Sequence, residues 1–105
     1  MSTETESIVE QVRQSTDYQI NKRILKEKIK TDLHMPYNNG MFLIGPEILS
    51  FVATWPDEVL YIEDIYENPV EIKRDEFLYH ARLHYQTAMN TWHQQHEELK
   101  RTRKV

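Results

Sequence analysis

Leu78, Tyr85, Trp92 and Leu99 recur every seven residues, and Ala81, Ala88 and Gln95 follow the first three of them at a spacing of three. This a/d pattern predicts one long helix over 75–102 that packs along its length, a demand that the rest of a short chain must meet. On a helical wheel Leu78, Ala81, Tyr85, Ala88, Met89, Trp92 and Leu99 occupy about a third of the circumference, the width of a core-facing stripe. Tyr79 and Leu83 point the other way, so the first three turns are expected inside a folded body, covered on two sides. At roughly 1.5 Å per residue the helix is about 40 Å long, against a radius of gyration near 13 Å for a compact chain of about this size. The stripe therefore outruns its body. Either an N-terminal helix folds back over it or another chain covers it.

The N-terminal stretch is read as an arm over 1–40. Residues 1–6 are small, polar or charged and are expected to be disordered. Ile8, Val9 and Val12 form a short apolar patch that Ser15-Thr16-Asp17 interrupts with cap-forming residues, so the helix is predicted over 17–32. Its apolar residues divide into Tyr18, Leu25, Ile29 and Leu33 on one face and Ile20 with Ile24 on another, and packing on the C-terminal stripe accounts for the first set alone. Residues 34–40 read as a linker, because Pro36 disfavours helix before it and Asn39-Gly40 is a turn signal.

An α+β body with the long C-terminal helix is then expected over 41–105. Met41-Phe42-Leu43-Ile44 suits a buried strand. Pro46 with Glu47 opens a short helix to about Thr54, which Trp55-Pro56 ends. Residues 59–73 read as an antiparallel hairpin with Pro69 at its turn or on an edge. Lys73 or Arg74 falls where Ser, Thr, Asp or Asn would normally cap the long helix, and Asp75 and Glu76 compensate through the dipole.

Charge is segregated along the 105 residues, whose net charge is −4. Lys22, Arg23, Lys26, Lys28 and Lys30 cluster early, Lys100, Arg101, Arg103 and Lys104 close the chain, and the middle is acidic from Glu47 to Glu76. The mildly acidic total weighs against nonspecific nucleic-acid binding, although Lys22, Arg23, Lys26, Lys100, Arg101 and Arg103 are the residues that would meet phosphates. No helix-turn-helix, zinc finger or aromatic RNA platform accompanies them. The basic ends could equally dock on the acidic middle of a neighbouring copy. Chains without cysteine have no disulfide framework, thiolate metal site or cysteine nucleophile, and this one has none. Its polar start and lack of a run approaching about 18 apolar residues predict a cytoplasmic protein with neither signal peptide nor membrane anchor.

Catalytic chemistry finds no footing. His80 and His84 have the i, i+4 spacing of two ligands on one helix, but Ala81 stands where a zincin glutamate would follow, and His93 and His96 lie elsewhere on the wheel. Glu63 and Asp64 are strand neighbours and point to opposite faces, and no serine sits between nucleophile-elbow glycines. No enzyme, metal or cofactor is expected. Tyr79, Leu83, Tyr85, Met89, Trp92 and Leu99, with Ile20 and Ile24 as a second contact, are the expected interface residues, since aromatic residues and Met are enriched at interfaces and exposed apolar strips mark them.

The segments Tyr66-Glu67-Asn68-Pro69-Val70-Glu71-Ile72 and Ala88-Met89-Asn90-Thr91-Trp92-His93 resemble small uncharacterised proteins of T4-like tailed phages, particularly those infecting marine cyanobacteria. The resemblance implies a virion component or a small early protein acting on the host, located in the host cytoplasm or the virion. It supplies no functional residues.

Overall fold

The computed structural model describes residues 3–103 and gives the order α1 (Thr3–Asp32), β1 (His34–Tyr37), β2 (Gly40–Leu43), α2 (Pro46–Thr54), β3 (Val59–Glu63), β4 (Pro69–Lys73) and α3 (Arg74–Arg103). The fold is α+β, with two separate antiparallel hairpins, β1–β2 and β3–β4, and α2 packed against α3. The long C-terminal helix matches the heptad reading to within a residue at each end.

Four differences from the sequence expectations have physical causes. Helix α1 does not start at residue 17 but runs unbroken from Thr3, because the Thr16 hydroxyl donates back to the Val12 carbonyl at 2.9 Å and so does not cap a new helix. Residues 3–6, expected to be disordered, belong to that helix, while residues 1 and 2 lie outside the described residues. The expected linker at 34–40 is a hairpin: Asn38 and Asn39 take φ of 45° and 67°, the paired left-handed residues of a two-residue turn matched to strand twist. The turn thus falls one residue before the Asn39-Gly40 signal, and Pro36 is tolerated because the sheet has only two strands. Finally, Tyr79 and Leu83 face solvent, so the first turns of α3 are covered on one side only.

The core gathers Met35, Phe42, Ile44, Val52, Leu60, Val70, Ile72, Phe77, Leu78 and Ala81 from both hairpins, α2 and the first turns of α3. Phe77 sits at its centre, fully buried, with edge-on rings of Tyr37 and Phe42 at centroid distances of 5.2 and 5.4 Å. Asp64 joins the two hairpins. Its Oδ2 accepts from the Met41 N–H at 3.1 Å, and its Oδ1 from the Tyr66 and Asn68 N–H groups at 3.0 Å each. The Asn68 N–H, helped by those of Met41 and Tyr66, holds the Asp64 carboxyl below the ordinary carboxylate range, against the opposite push of burial. Asp64, expected as a strand neighbour of Glu63, thus lies one residue past β3, is 6% exposed and has a structural role.

Arg74 explains its own presence at the start of α3. Its guanidinium donates to the Trp55, Pro56 and Asp57 carbonyls at 3.1, 3.1 and 3.2 Å, so the residue that fails to cap α3 instead ties down the loop after α2. Helices α1 and α3 pack antiparallel, as shown by His84 against Asp32 and Lys28 against Gln95. Helix α1 joins the body at its C-terminal end and leaves it alongside α3. The molecule measures 70 × 24 × 20 Å, with a radius of gyration of 20.2 Å. A compact fold of this length would have about 13 Å, so the difference is the two-helix arm.

Candidate interaction surface

The arm shows which apolar residues are used within the chain and which are left over. On α1 Tyr18 and Ile29 are buried and Leu25 is half-buried, on the face turned to α3, and Leu33, just past the end of the helix, is half-buried as well. Ala88 is buried beneath them, and Tyr85, Met89, Trp92 and Leu99 are half-buried. Helix α1 therefore folds back and covers part of the heptad stripe, one of the two possibilities raised by its length. Ile20 and Ile24 lie on the opposite side of α1 at 47% and 61% exposure. Ile8, Val9 and Val12 are exposed as well, in the part of α1 where burial by α3 has not begun. Tyr79, at 68%, and Leu83 add an exposed apolar pair on α3 near the body.

Two of the grooves along α3 bear on the surface. The larger, about 850 Å³, lies between β1, β4 and α3 and is lined in part by Tyr37, Glu71, Glu76, His80 and Leu83. Several of its polar groups are engaged with one another: the Tyr37 hydroxyl donates to Glu76 Oε1 at 3.2 Å and accepts from the Lys73 N–H at 3.3 Å, and Asn38 Nδ2 donates to the Glu71 carbonyl at 3.0 Å. Burial raises the Tyr37 hydroxyl above its usual value, so it holds its proton and serves as a donor. The smaller groove, about 450 Å³, is floored by Met89 and Trp92 and rimmed by Lys22, Lys26, His93 and His96.

Sequence reasoning missed the work of two histidines. His84 Nε2 donates to the Asp32 carbonyl at 2.6 Å, and His34 Nδ1 faces the Lys30 and Thr31 carbonyls at 3.0 and 3.1 Å. Both imidazoles thus serve the otherwise unsatisfied carbonyls at the C-terminus of α1, where donors are favoured. His84 is committed to this contact, which separates it from His80. Among the described residues no group of three or more His, Asp or Glu side chains could hold a metal ion.

Of the residues expected to meet phosphates, the structure brings Lys22 and Lys26 to the Trp92 groove, with Arg23 exposed beside them on α1. Lys100 and Arg101 are exposed near the end of α3, Lys100 beside Glu97 at 3.4 Å, and the Arg103 side chain and Lys104 fall outside what the structure describes. No helix among the described residues is long and apolar enough to cross a membrane.

Fold and surface together define a small α+β protein that presents an antiparallel helical arm with unpartnered apolar side chains. No protein-family model, no curated protein and no solved structure matches the chain.

Proposed function

We propose that this is a non-enzymatic assembly protein that binds another protein chain through its helical arm. The observation that carries the reading is the exposure of Ile20 and Ile24 on the side of α1 that faces away from α3, after the chain has already used Tyr18, Leu25 and Ile29 to hold α1 and α3 together. Helix α1 contains more apolar surface than its own partner helix uses, and β-branched residues in such a strip gain by burial at about 25 cal/mol per Å². Tyr79 and Leu83 offer a second contact on the same molecule. A virion or accessory component of a tailed phage, the setting implied by the resemblance noted in the sequence, is a role in which such an arm joins one subunit to the next.

The test is sedimentation velocity over a wide concentration range, with a parallel pull-down from host lysate, comparing the wild type with an Ile20→Glu/Ile24→Glu variant. Both positions are exposed, so circular dichroism of the variant should match that of the wild type. Loss of self-association or of a captured protein supports the reading. A wild type that stays monomeric and captures nothing, or a variant that associates unchanged, overturns it. A second reading, a small regulator that binds a host polymerase, nuclease or nucleic acid, is favoured by the cationic rim of the Trp92 groove, and it predicts capture that fades steeply with salt.

A further inference from the structure

The Trp92 groove is cationic on a protein whose net charge is −4. Among the described residues that line it there is no carboxylate: Lys22 and Lys26 stand one turn apart on α1, and His93 and His96 flank the apolar floor of Met89 and Trp92 on α3. Such a groove, predominantly apolar and rimmed by lysines, fits an aromatic side chain accompanied by acids.

The same molecule carries a segment with that chemistry. The turn between β3 and β4 projects Tyr66, 67% exposed, followed by the exposed Glu67 at φ 65°. Glu63 and Glu71 are exposed on the adjoining strands. This turn is rigid. Asp64 accepts from the N–H groups of Tyr66 and Asn68, the Glu67 N–H donates to the Asp64 carbonyl at 3.0 Å, and the Ile65 N–H to the Met41 carbonyl at 2.9 Å. Its conformation is set before any partner arrives, which lowers the ordering cost of binding. The hairpin cannot fill its own groove, because β4 runs directly into α3 and the groove begins at Met89, roughly 20 Å further along the helix at about 1.5 Å per residue.

We propose that the Trp92 groove receives the β3–β4 turn of a second copy of this chain, with Tyr66 against Met89 and Trp92 and with Glu63 and Glu67 facing Lys22 and Lys26. The inference rests on the assembly reading and names its partner. The contact joins two different surfaces, so it propagates from copy to copy unless the rotation between copies closes a ring.

Charge exchange on the full chain tests it. A Lys22→Glu/Lys26→Glu variant and a Glu63→Lys/Glu67→Lys variant alter exposed side chains only, and circular dichroism should leave both unchanged from the wild type. In sedimentation velocity each variant alone should self-associate at least about tenfold more weakly than the wild type, because like charges then meet across the contact. An equimolar mixture should regain complexes containing both variants, since each acidic groove then meets a basic turn. A Tyr66→Ala variant should weaken association with little effect on folding. Charge variants that associate like the wild type, or a mixture that fails to regain complexes, overturn the proposal. If Ile20→Glu/Ile24→Glu abolishes association under those conditions, the assembly reading stands while this partner assignment falls. A wild type that remains monomeric but shifts a DNA or RNA oligonucleotide through Lys22 and Lys26 likewise overturns it, in favour of a nucleic-acid groove.

Discussion

Gly40 offers the sharpest test of the core. Its φ is not positive, so conformational freedom is not the reason for glycine; space is. A Cβ built there would lie 2.7 Å from Val70 Cγ2, 3.2 Å from Asp64 Oδ2 and 3.3 Å from the Phe42 ring. Carbon atoms in contact prefer about 3.5–4.0 Å, so Val70 would have to retreat by roughly 1 Å. It is buried and β-branched, and has one stiff torsion with which to do so. Overpacking of this kind costs about 1–3 kcal/mol, and it outweighs the roughly 0.4–1 kcal/mol that Gly→Ala returns through the unfolded chain. Gly40→Ala should therefore destabilise by about 1–2 kcal/mol. Val70→Ala alone should cost about 1.5–3 kcal/mol by lost burial. In the double variant the offending methyl is gone and the new one fills part of its volume, so the loss should fall short of the sum by about 1–2 kcal/mol. Urea denaturation of the four proteins, followed by circular dichroism with a common slope, measures this. Additivity within about 0.5 kcal/mol would refute the packing argument.

Three further outcomes follow from the geometry. The Asp64 carboxyl is held below its ordinary range, so the stability it contributes is present above the unfolded carboxylate value of about 3.9 and is lost as pH falls through the lower folded value; Asp64→Asn should flatten that acid-side slope in pH-dependent urea titrations. Ile29→Ala should cost about 2–4 kcal/mol of thermal or chemical stability, whereas Ile24→Ala, on the other face of α1, should stay within about 0.5 kcal/mol, and equal losses would contradict the assigned orientation of the helix. His84→Ala removes the donor to the Asp32 carbonyl and should cost about 1 kcal/mol, with faster amide exchange in the last turn of α1 as its local signature.

The elements marked by local chemistry are legible in the sequence nearly to the residue. Pro46 with Glu47 at the start and Trp55-Pro56 at the end bounded α2, and the heptads bounded α3. What is not legible locally depends on partners distant in sequence. Gly40 is small because Val70 is near, Asp64 is buried because Met41 donates to it, and Arg74 replaces a cap because three carbonyls converge on it. Asp64 does leave a local trace: an aspartate at the head of Ile65-Tyr66-Glu67-Asn68-Pro69 is a side-chain turn signal, and alternation along β3 masks it. On the arm, the division of α1 into a Tyr18–Ile29 face and an Ile20–Ile24 face was visible in spacing alone. The continuity of α1 through Ser15-Thr16-Asp17 was not, because a threonine hydroxyl can either cap a helix or bond back along it.

The stagger of two helices of equal length, 30 residues each, sets a gradient of protection. With Asp32 level with His84, about the first three turns of α1 extend beyond the last turn of α3, and no side chain from residue 7 to residue 17 is buried. A helix of roughly a dozen residues without a neighbour is marginal in water. Amide exchange should therefore quicken steadily from Ile29 toward the tip, so that whatever grips this tip also stiffens it and transmits that stiffening inward, one helical turn at a time, to the body.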